Sequence, residues 1–309
     1  DPVHGNLAFG DVGNGFALDA TVVRHEYVHF VIDQIYPILN FGQNGAISEA
    51  MADYFAGSSL NTDAIGSFTS SALGGVGAFR NLDCAAHPPC KIFPSNWSGL
   101  VHQDSLILSE ALWEIRNELR KPGQLGPVVG QACADGLVYQ SLFFFPDSFH
   151  EFLKAMLIVT ANSSALIPAC GANNSQRGLI QSRFSVHGMS EFPSDQDAYE
   201  PNDGLETATN ISTAPVISGR VFPKGDLDYY GLGAGAGPMG FVLKLPENPV
   251  APGNYFAFSL RLVDRNRQLV ATASAPFDVN PTLSGFCPAS SARRTISASI
   301  SSSVAAICS

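Results

Sequence analysis

Two histidines four residues apart, with a glutamate directly after the first, occur at His25, Glu26 and His29. On an α-helix, positions i and i+4 project from the same face, so the two imidazoles can bind one metal ion. Imidazole nitrogen suits Zn²⁺, and a catalytic zinc site keeps one position open for a water molecule whose pKa the ion lowers. The pattern therefore predicts a helix with two zinc ligands and a glutamate base beside them.

A second segment offers the third ligand that such a site needs. Residues 45–53 read GAISEAMAD, which is helical in character and places Glu49 and Asp53 on one face at i and i+4. We expect Glu49 to complete the set of three zinc ligands. We expect Asp53 to accept the outer N–H of His25 and thereby fix the tautomer of that ring.

Together, H-E-x-x-H, a gap of nineteen residues and E-x-x-x-D resemble the thermolysin-like zinc metallopeptidases, the gluzincins. The resemblance implies an endopeptidase with one catalytic Zn²⁺ held by His25, His29 and Glu49, in which Glu26 acts as general base. Members of this family carry a sizeable β-rich subdomain ahead of the metal helix. Because few residues precede His25 here, we expect that subdomain to be truncated.

Two further segments resemble parts of the gluzincin active site. Residues 78–81, AFRN, resemble the segment whose arginine binds a substrate carbonyl, which implies that role for Arg80. Residues 98–105, SGLVHQDS, resemble the segment with the catalytic histidine, which implies that His102 stabilises the transition state.

The chain departs from the family at two of these positions. The family's transition-state tyrosine falls at Asn40, a substrate-binding position, so either Tyr36 substitutes for it or His102 acts with less help. The aspartate that partners the catalytic histidine falls at Trp97, where Asp104 or Asn96 could replace it.

Calcium is possible but is not supported at the family's usual site. The positions of its double calcium site are Thr21 and Leu60, neither of which is acidic. Acidic residues in 200–203 and 225–230 could bind Ca²⁺, but Asp and Asn also form turns, and we favour the turn interpretation.

The expected fold class is α+β and multidomain. Residues 1–192 form a mainly helical catalytic domain, residues 193–198 form a polar linker, and residues 199–309 form a small all-β sandwich. Alternating apolar and polar residues in 240–245 and 255–263 predict strands. Residues 199–309 resemble the bacterial pre-peptidase C-terminal domain, which is appended to secreted peptidases.

Local signals predict the helices of the first domain. Asp19 is a candidate N-cap for the helix that carries His25, and Asn44 with Gly45 can begin the next helix. Residues 58–100 are rich in Gly, Ser and Pro and predict a loop. Three more helices are predicted at 126–145, 146–162 and 172–189, with Asp147, Ser148 and Asn173 as candidate N-caps.

Charge and cysteine content restrict the partners and the compartment. Only 14% of residues are charged and the net charge is −10, which argues against nucleic acid or an anionic membrane as partner. Six cysteines without C-x-x-C spacing favour disulfides, and proximity suggests the pairs 84–90, 133–170 and 287–308 among fifteen connectivities. We expect a secreted monomer that acts on proteins or peptides.

Two other functions remain open. An aminopeptidase could use the same three ligands, although the sequence has no G-x-M-E-N-like segment to bind a free amino terminus. An inactive zinc-binding remnant, or an adhesion module that works through its β domain, is the non-enzymatic alternative. The intact Glu26 argues against a remnant, because a structural zinc needs no base and favours four protein ligands.

Overall fold

The computed structural model divides into two compact units, Asp1–Glu191 and Phe192–Ser309. The described residues are 16–35, 42–190, 199–211, 216–220, 227–232, 235–244, 258–264, 267, 269–275, 282–289, 293–299 and 303–308. The predicted linker, residues 193–198, lies outside these ranges. Each unit is described by itself below.

Helices make up most of the first unit, as predicted. They are α1 (Ala20–Ile35), α2 (Gly42–Leu60), α3 (Ser67–Ala72), α4 (Val101–Leu119), α5 (Pro127–Ser141), α6 (Phe149–Ala161), α7 (Ser163–Leu166) and α8 (Arg177–Val186). Short 3-10 turns lie at Phe16–Leu18, Leu142–Phe144 and Pro168–Cys170. Among the helices of the described ranges, none combines the length and the apolar composition needed to cross a membrane.

Helix α2 is the central element of the first unit. It packs between α1 and α4, and its apolar residues are almost fully buried, including Ala46, Ile47, Ala50 and Met51. Small side chains along this helix let its neighbours approach closely, and that proximity lets side chains from three helices meet at one point. The position of α2 therefore sets the geometry of the site described below.

Helix α1 begins where the sequence predicts. The Asp19 carboxylate accepts a hydrogen bond from the Thr21 backbone N–H at 3.0 Å, which is the N-cap arrangement. Its second oxygen accepts from the Thr69 N–H, also at 3.0 Å, and so anchors α3 beside the start of α1. One carboxylate thus fixes the beginning of α1 against the segment that follows α2.

Helix α2 starts earlier than predicted, at Gly42 instead of Asn44. The Asn44 side chain does not cap the helix; its amide donates to Asp147 Oδ1 at 2.6 Å. The neighbouring Gln43 side chain accepts from the Phe149 backbone N–H at 2.8 Å. These polar residues therefore bind the beginning of α6, a contact that local sequence does not reveal.

The segment between α2 and α4 contains more structure than the loop that the sequence predicts. In addition to α3, it forms an antiparallel pair of strands, β1 (Ala64–Ile65) and β2 (Arg80–Asn81). Gly66 ends β1 with a φ of +74°, and a Cβ there would lie 2.3 Å from the Phe79 ring. Glycine is therefore required at this turn, which holds Arg80 beside α2.

Helices α5, α6 and α8 confirm the three predicted for the second half of this unit, with shorter bounds. Ser148 caps α6 as predicted, and its hydroxyl accepts from the Glu151 N–H at 3.1 Å. The prediction that Asn173 caps the last helix is wrong: its side chain accepts from the Ser164 N–H, and α8 begins at Arg177.

Two of the three suggested disulfides are confirmed. Cys84 pairs with Cys90, and Cys133 of α5 pairs with Cys170. The side chains of residues 287 and 308 lie outside the described part of the chain, so their pairing stays a prediction.

Among its described residues, the second unit is built of strands in two sheets. The strands are β3 (Thr209–Asn210), β4 (Val216–Arg220), β5 (Leu227–Leu232), β6 (Gly235–Lys244), β7 (Phe258–Asp264), β8 (Leu269–Ala275), β9 (Thr282–Ala289), β10 (Arg293–Ser299) and β11 (Ser303–Cys308). The sheet orders are β4-β10-β6-β9 and β3-β5-β11-β7-β8. β6 and β7 confirm the two strands predicted from alternation, while the pre-peptidase resemblance stays a prediction.

The acidic residues of this unit take part in local contacts. Glu200 accepts from the Asn202 N–H at 2.8 Å, and the Asn202 carbonyl accepts from the Tyr229 N–H, also at 2.8 Å. Asp228 accepts from the Tyr230 hydroxyl at 2.9 Å. These contacts attach the turn at 200–203 to β5, which agrees with the turn interpretation.

Candidate metal centre

Helices α1 and α2 bring His25, His29 and Glu49 together. The two Nε2 atoms lie 3.1 Å apart, His25 Nε2 lies 3.2 Å from Glu49 Oε2, and His29 Nε2 lies 3.5 Å from Glu49 Oε1. Bonds of zinc to nitrogen and oxygen of about 2.0–2.2 Å put neighbouring donors of a tetrahedral site about 3.3–3.5 Å apart. The three side chains therefore have the spacing of ligands around one ion.

The donor chemistry of this cluster fits a divalent cation. Glu49 Oε2 is buried and has no hydrogen-bond partner, although an unpaired buried carboxylate oxygen is costly. Two imidazole nitrogens face it, and all three groups can offer a donor atom to a common point. Two nitrogens and one carboxylate form a donor set that Zn²⁺ accepts while keeping a fourth position open.

Asp53 orients one of the histidines. Its Oδ1 accepts from Nδ1 of His25 at 2.8 Å, which leaves the Nε2 lone pair of His25 facing the other two donor groups. Asp53 is fully buried, and the guanidinium of Arg80 binds it through Nε at 2.5 Å and Nη2 at 2.8 Å. The same carboxylate thus positions a predicted metal ligand and the predicted substrate-binding arginine.

Ser48 orients the other histidine, a role that the sequence reasoning missed. Its Oγ lies 3.0 Å from Nδ1 of His29 and can accept that N–H, which leaves Nε2 of His29 facing Glu49. The sequence feature that could have indicated this role is the position of Ser48, which directly precedes Glu49 on the helix that packs against α1. Serine in a helix is too common for that signal to stand out.

Glu26, the predicted base, is half-buried on α1. Within the described ranges its carboxylate has no hydrogen-bond or ion-pair partner, so it is available to bind water. Burial alone would lower the pKa of Arg80. The hydrogen bond to Asp53 and the charges of Asp53, Glu49 and Glu26 raise it. Arg80 stays protonated, and its Nη1 has no hydrogen-bond partner among the described residues.

His102 lies in the first turn of α4, at the edge of the cluster formed by His25, His29 and Glu49. Its side chain is 64% exposed, and its Nε2 lies 3.4 Å from Glu49 Oε2. The structure thus brings His25, His29 and His102 to the carboxylate of Glu49. Asn40 and Tyr36 lie outside the described residues.

The residues considered as partners of His102 hold the segment before α4. Asp104 accepts from the backbone N–H groups of Ser98 and Gly99, each at 2.7 Å, so it fixes the turn that starts the helix. Asn96 accepts from the Ile92 N–H at 2.8 Å. Trp97 packs edge-to-face on Phe149, with ring centroids 5.9 Å apart.

The charges of the cluster favour protonated histidine when metal is absent. Burial alone would lower the pKa of His25, but the hydrogen bond to Asp53 and the charges of Asp53 and Glu49 raise it to about 9. Burial alone would raise the pKa of Glu49, but the adjacent imidazoles of His25 and His29 lower it well below its ordinary value. A metal ion bound by His25 would therefore compete with one proton on that ring.

We expect the apparent zinc association constant to rise about tenfold per pH unit between about pH 6 and 8. The pKa of metal-free His25 is raised to about 9, so the ring is protonated below that pH and must lose one proton on binding. The gain ends as the pH passes the pKa. Calorimetric zinc titrations at several pH values measure the slope. Asp53→Asn removes the main source of the raised pKa and should flatten it; a wild-type affinity independent of pH would contradict the prediction.

Replacing Ser48 by alanine should weaken zinc binding about tenfold, because His29 loses the group that holds its ring. Competition with a chromogenic chelator measures the change. Ser48→Thr keeps the hydroxyl and should retain most of the affinity, and Ser71→Ala, an exposed change in α3, should have no effect. Equal affinities for Ser48→Ala and wild type would show that the contact does not orient the ligand.

Comparisons with known proteins add a distant structural likeness. No protein-family profile matches the chain, and no curated protein matches it. Among solved structures, it is similar to the precursor of protealysin, a metalloproteinase from Serratia proteamaculans, with a TM-score of 0.42 and 16% sequence identity. The match covers 59% of this chain and 62% of that chain, which is less than two thirds of its length.

Proposed function

We propose that the chain is a zinc-dependent endopeptidase in which His25, His29 and Glu49 hold the ion and Glu26 is the general base. The observation that carries the proposal is the convergence of two imidazole Nε2 atoms on a carboxylate with a buried, unpartnered oxygen, beside a second carboxylate that no described group engages. A bound Zn²⁺ supplies Lewis acidity, which polarises the scissile carbonyl and lowers the pKa of water.

The chain's own residues then move the protons and stabilise charge. Glu26 takes a proton from the attacking water and delivers it to the leaving nitrogen of the cleaved bond. His102, exposed at the edge of the cluster, and Nη1 of Arg80 donate to the carbonyl oxygen as it becomes negative. Each well-placed donor of this kind contributes about 3–4 kcal/mol to lowering the barrier.

Asp53 couples metal binding to substrate binding in this mechanism. It holds His25 and Arg80 through its two oxygens, so the ligand and the oxyanion donor keep a fixed separation. Replacing it would also leave the Arg80 guanidinium without its buried counter-charge, which is destabilising. We propose Asn40 as a further substrate-binding residue, from the family resemblance alone.

The proposed substrates are proteins or peptides, and the proposed compartment is extracellular. The disulfides Cys84–Cys90 and Cys133–Cys170 fit an oxidising environment. The ion is proposed to be zinc because its donors are imidazole and carboxylate; the acidic groups near 200–203 give no comparable support for calcium.

A metal titration tests the proposal. The protein is stripped with a chelator, zinc is restored stepwise, and an internally quenched peptide with blocked ends is assayed. Hydrolysis that rises with the first equivalent of zinc supports an endopeptidase. Cleavage only of peptides with a free amino terminus would favour the aminopeptidase alternative, and zinc binding without hydrolysis of any peptide would favour the inactive remnant.

Replacing His102 by alanine should lower kcat about 10²–10³-fold, because a donor to the developing negative charge is lost. Zinc affinity should stay within about twofold, since His102 stands outside the proposed ligand set. Steady-state kinetics and zinc competition measure the two effects. His87→Ala is the matched control, because His87 is a half-exposed histidine paired with Asp63. A large loss of zinc affinity in His102→Ala would instead identify His102 as a ligand.

A further inference from the structure

A second cluster of metal-binding side chains lies outside the proposed zinc centre. It contains the Cys84–Cys90 disulfide, Glu110 and Glu114 of α4, and His187, which follows the last turn of α8. None of these residues has a part in the proposed hydrolysis. All five side chains are buried or half-buried.

His187 has the hydrogen bonding of a metal ligand. It is 0% exposed, and its Nδ1 lies 2.7 Å from the backbone carbonyl oxygen of Lys91. A carbonyl only accepts, so Nδ1 carries the proton and the neutral ring has its lone pair on Nε2. Metal-bound histidines typically donate their other N–H in this way. Nε2 is buried without a hydrogen-bond partner, which leaves this lone pair unused.

Glu114 and Cys84 meet this nitrogen at ligand spacing. Glu114 Oε1 lies 3.5 Å from His187 Nε2 and 3.3 Å from Cys84 Sγ. Zinc bonds of about 2.0–2.3 Å to nitrogen, oxygen and sulfur place tetrahedral donors about 3.3–3.8 Å apart. The other carboxylate oxygen of Glu114 faces Arg183 Nη1 at 3.5 Å, which keeps Oε1 directed at the cluster.

The disulfide determines how many ligands are available. Sulfur in a disulfide is a poor metal donor, whereas thiolate is among the strongest ligands for zinc. With the bond closed, the cluster offers Glu114, His187 and Glu110, and one oxygen of Glu110 already accepts from the Lys91 N–H. We propose that reduction of Cys84–Cys90 creates a second zinc site. Cys84, Glu114 and His187 already lie within ligand range of one another, and Cys90, which lies with Cys84 and Glu110, becomes the fourth ligand when its freed sulfur turns toward them.

The Cys84–Cys90 disulfide is more exposed than Cys133–Cys170, so it is the one that an external thiol reaches. Cys90 is half-exposed and residues 85–89 are exposed, whereas Cys133 and Cys170 are both buried. A dithiol attacks Cys90 Sγ and displaces Cys84 as a thiolate. Its second thiol then closes the reagent's own disulfide and releases Cys90, so two electrons pass from the dithiol to the protein. Binding of a divalent ion displaces any proton that the two sulfurs have taken up.

The zinc would replace the covalent bond as the link that closes this loop. Cys84 lies four residues after Arg80, and Glu114 belongs to α4, the helix that carries His102 in its first turn, so the loop adjoins two residues of the proposed active site. Glu110 supports the loop by accepting from the Lys91 N–H at 2.7 Å. A four-ligand site of this composition is closed, which indicates a structural ion and not a second catalytic one.

Cobalt reports on this site without interference from the first. Cobalt bound by thiolate gives a charge-transfer absorption in the near ultraviolet, and the His25, His29 and Glu49 cluster contains no sulfur. The full-length protein is treated with dithiothreitol and desalted under argon, and alkylation with mass spectrometry shows which cysteines are free. We expect free Cys84 and Cys90, an intact second disulfide, and one additional equivalent of cobalt with the thiolate band. Oxidised protein should show no such band.

Matched variants test the two ligands that are not cysteines. His187→Ala and Glu114→Gln should each weaken cobalt binding by the reduced protein about tenfold or more. His87→Ala, in the exposed part of the same loop, should change it less than about twofold. Glu114→Gln keeps the size of the side chain, so it remains informative if His187→Ala does not fold.

Three results would overturn the proposal. One is a reduced protein with free Cys84 and Cys90 and no thiolate–cobalt band. Another is a disulfide that opens only when the protein unfolds, as judged by circular dichroism. The last is unchanged affinity in both ligand variants. Peptide hydrolysis is not part of the readout, so failure here would leave the proposed peptidase function untouched.

Discussion

Glu26→Gln is expected to lower kcat/KM for peptide hydrolysis about 10²–10⁴-fold, because a positioned general base contributes a factor of that size. Glutamine keeps the length and shape of the side chain but cannot take a proton. Glu26 has no hydrogen-bond or ion-pair partner within the described residues, so the change should break no structural contact. The ligands His25, His29 and Glu49 are untouched, and zinc affinity should stay within about threefold of wild type.

The comparison needs a carboxylate on the same helix that does no chemistry. Asp33 is exposed and lies two helical turns beyond Glu26, about 10 Å along α1, so Asp33→Asn removes a similar charge from the same element. Kinetics on a quenched peptide, with zinc content measured for each protein, separate the two effects. Hydrolysis by Glu26→Gln at the wild-type rate would remove the proposed mechanism, even if zinc stays bound.

Local sequence was sufficient to predict that the candidate donor groups lie close together, because residue spacing on a helix determines which side chains share a face. His25 and His29 share a helix face at i and i+4, and so do Glu49 and Asp53. Once both segments form helices that pack together, few arrangements keep these side chains apart. The structure brings them to 3.1–3.5 Å without any requirement beyond that packing.

Contacts made across the fold could not be predicted in the same way. Arg80 reaches Asp53 only because a two-residue strand pair and the turn at Gly66 place it there, and such short elements have almost no periodicity. The hydrogen bond that Asp19 accepts from the Thr69 N–H of α3 likewise joins residues fifty positions apart in the sequence. The His187 lone pair became visible only when its other nitrogen was seen to bind a carbonyl.

Glu49→Gln is expected to weaken zinc binding about 10²–10³-fold and to abolish hydrolysis at stoichiometric zinc. Structural zinc sites with four ligands bind with about 10–16 kcal/mol, so one ligand accounts for about 2.5–4 kcal/mol. An amide is a poor zinc ligand, and this change also removes the charge that attracts the ion. Unlike Glu26→Gln, the variant keeps its base, so excess zinc should restore part of the lost activity.

Glu118→Gln provides the control for this change. Glu118 is a partly exposed carboxylate on α4 that pairs with Lys121, and it contacts none of the proposed ligands. Zinc affinity by chelator competition and rates measured across a zinc series give both quantities for each variant. If Glu49→Gln binds zinc within about threefold of wild type, the carboxylate is not a ligand, and two histidines alone would be too few to hold a catalytic ion.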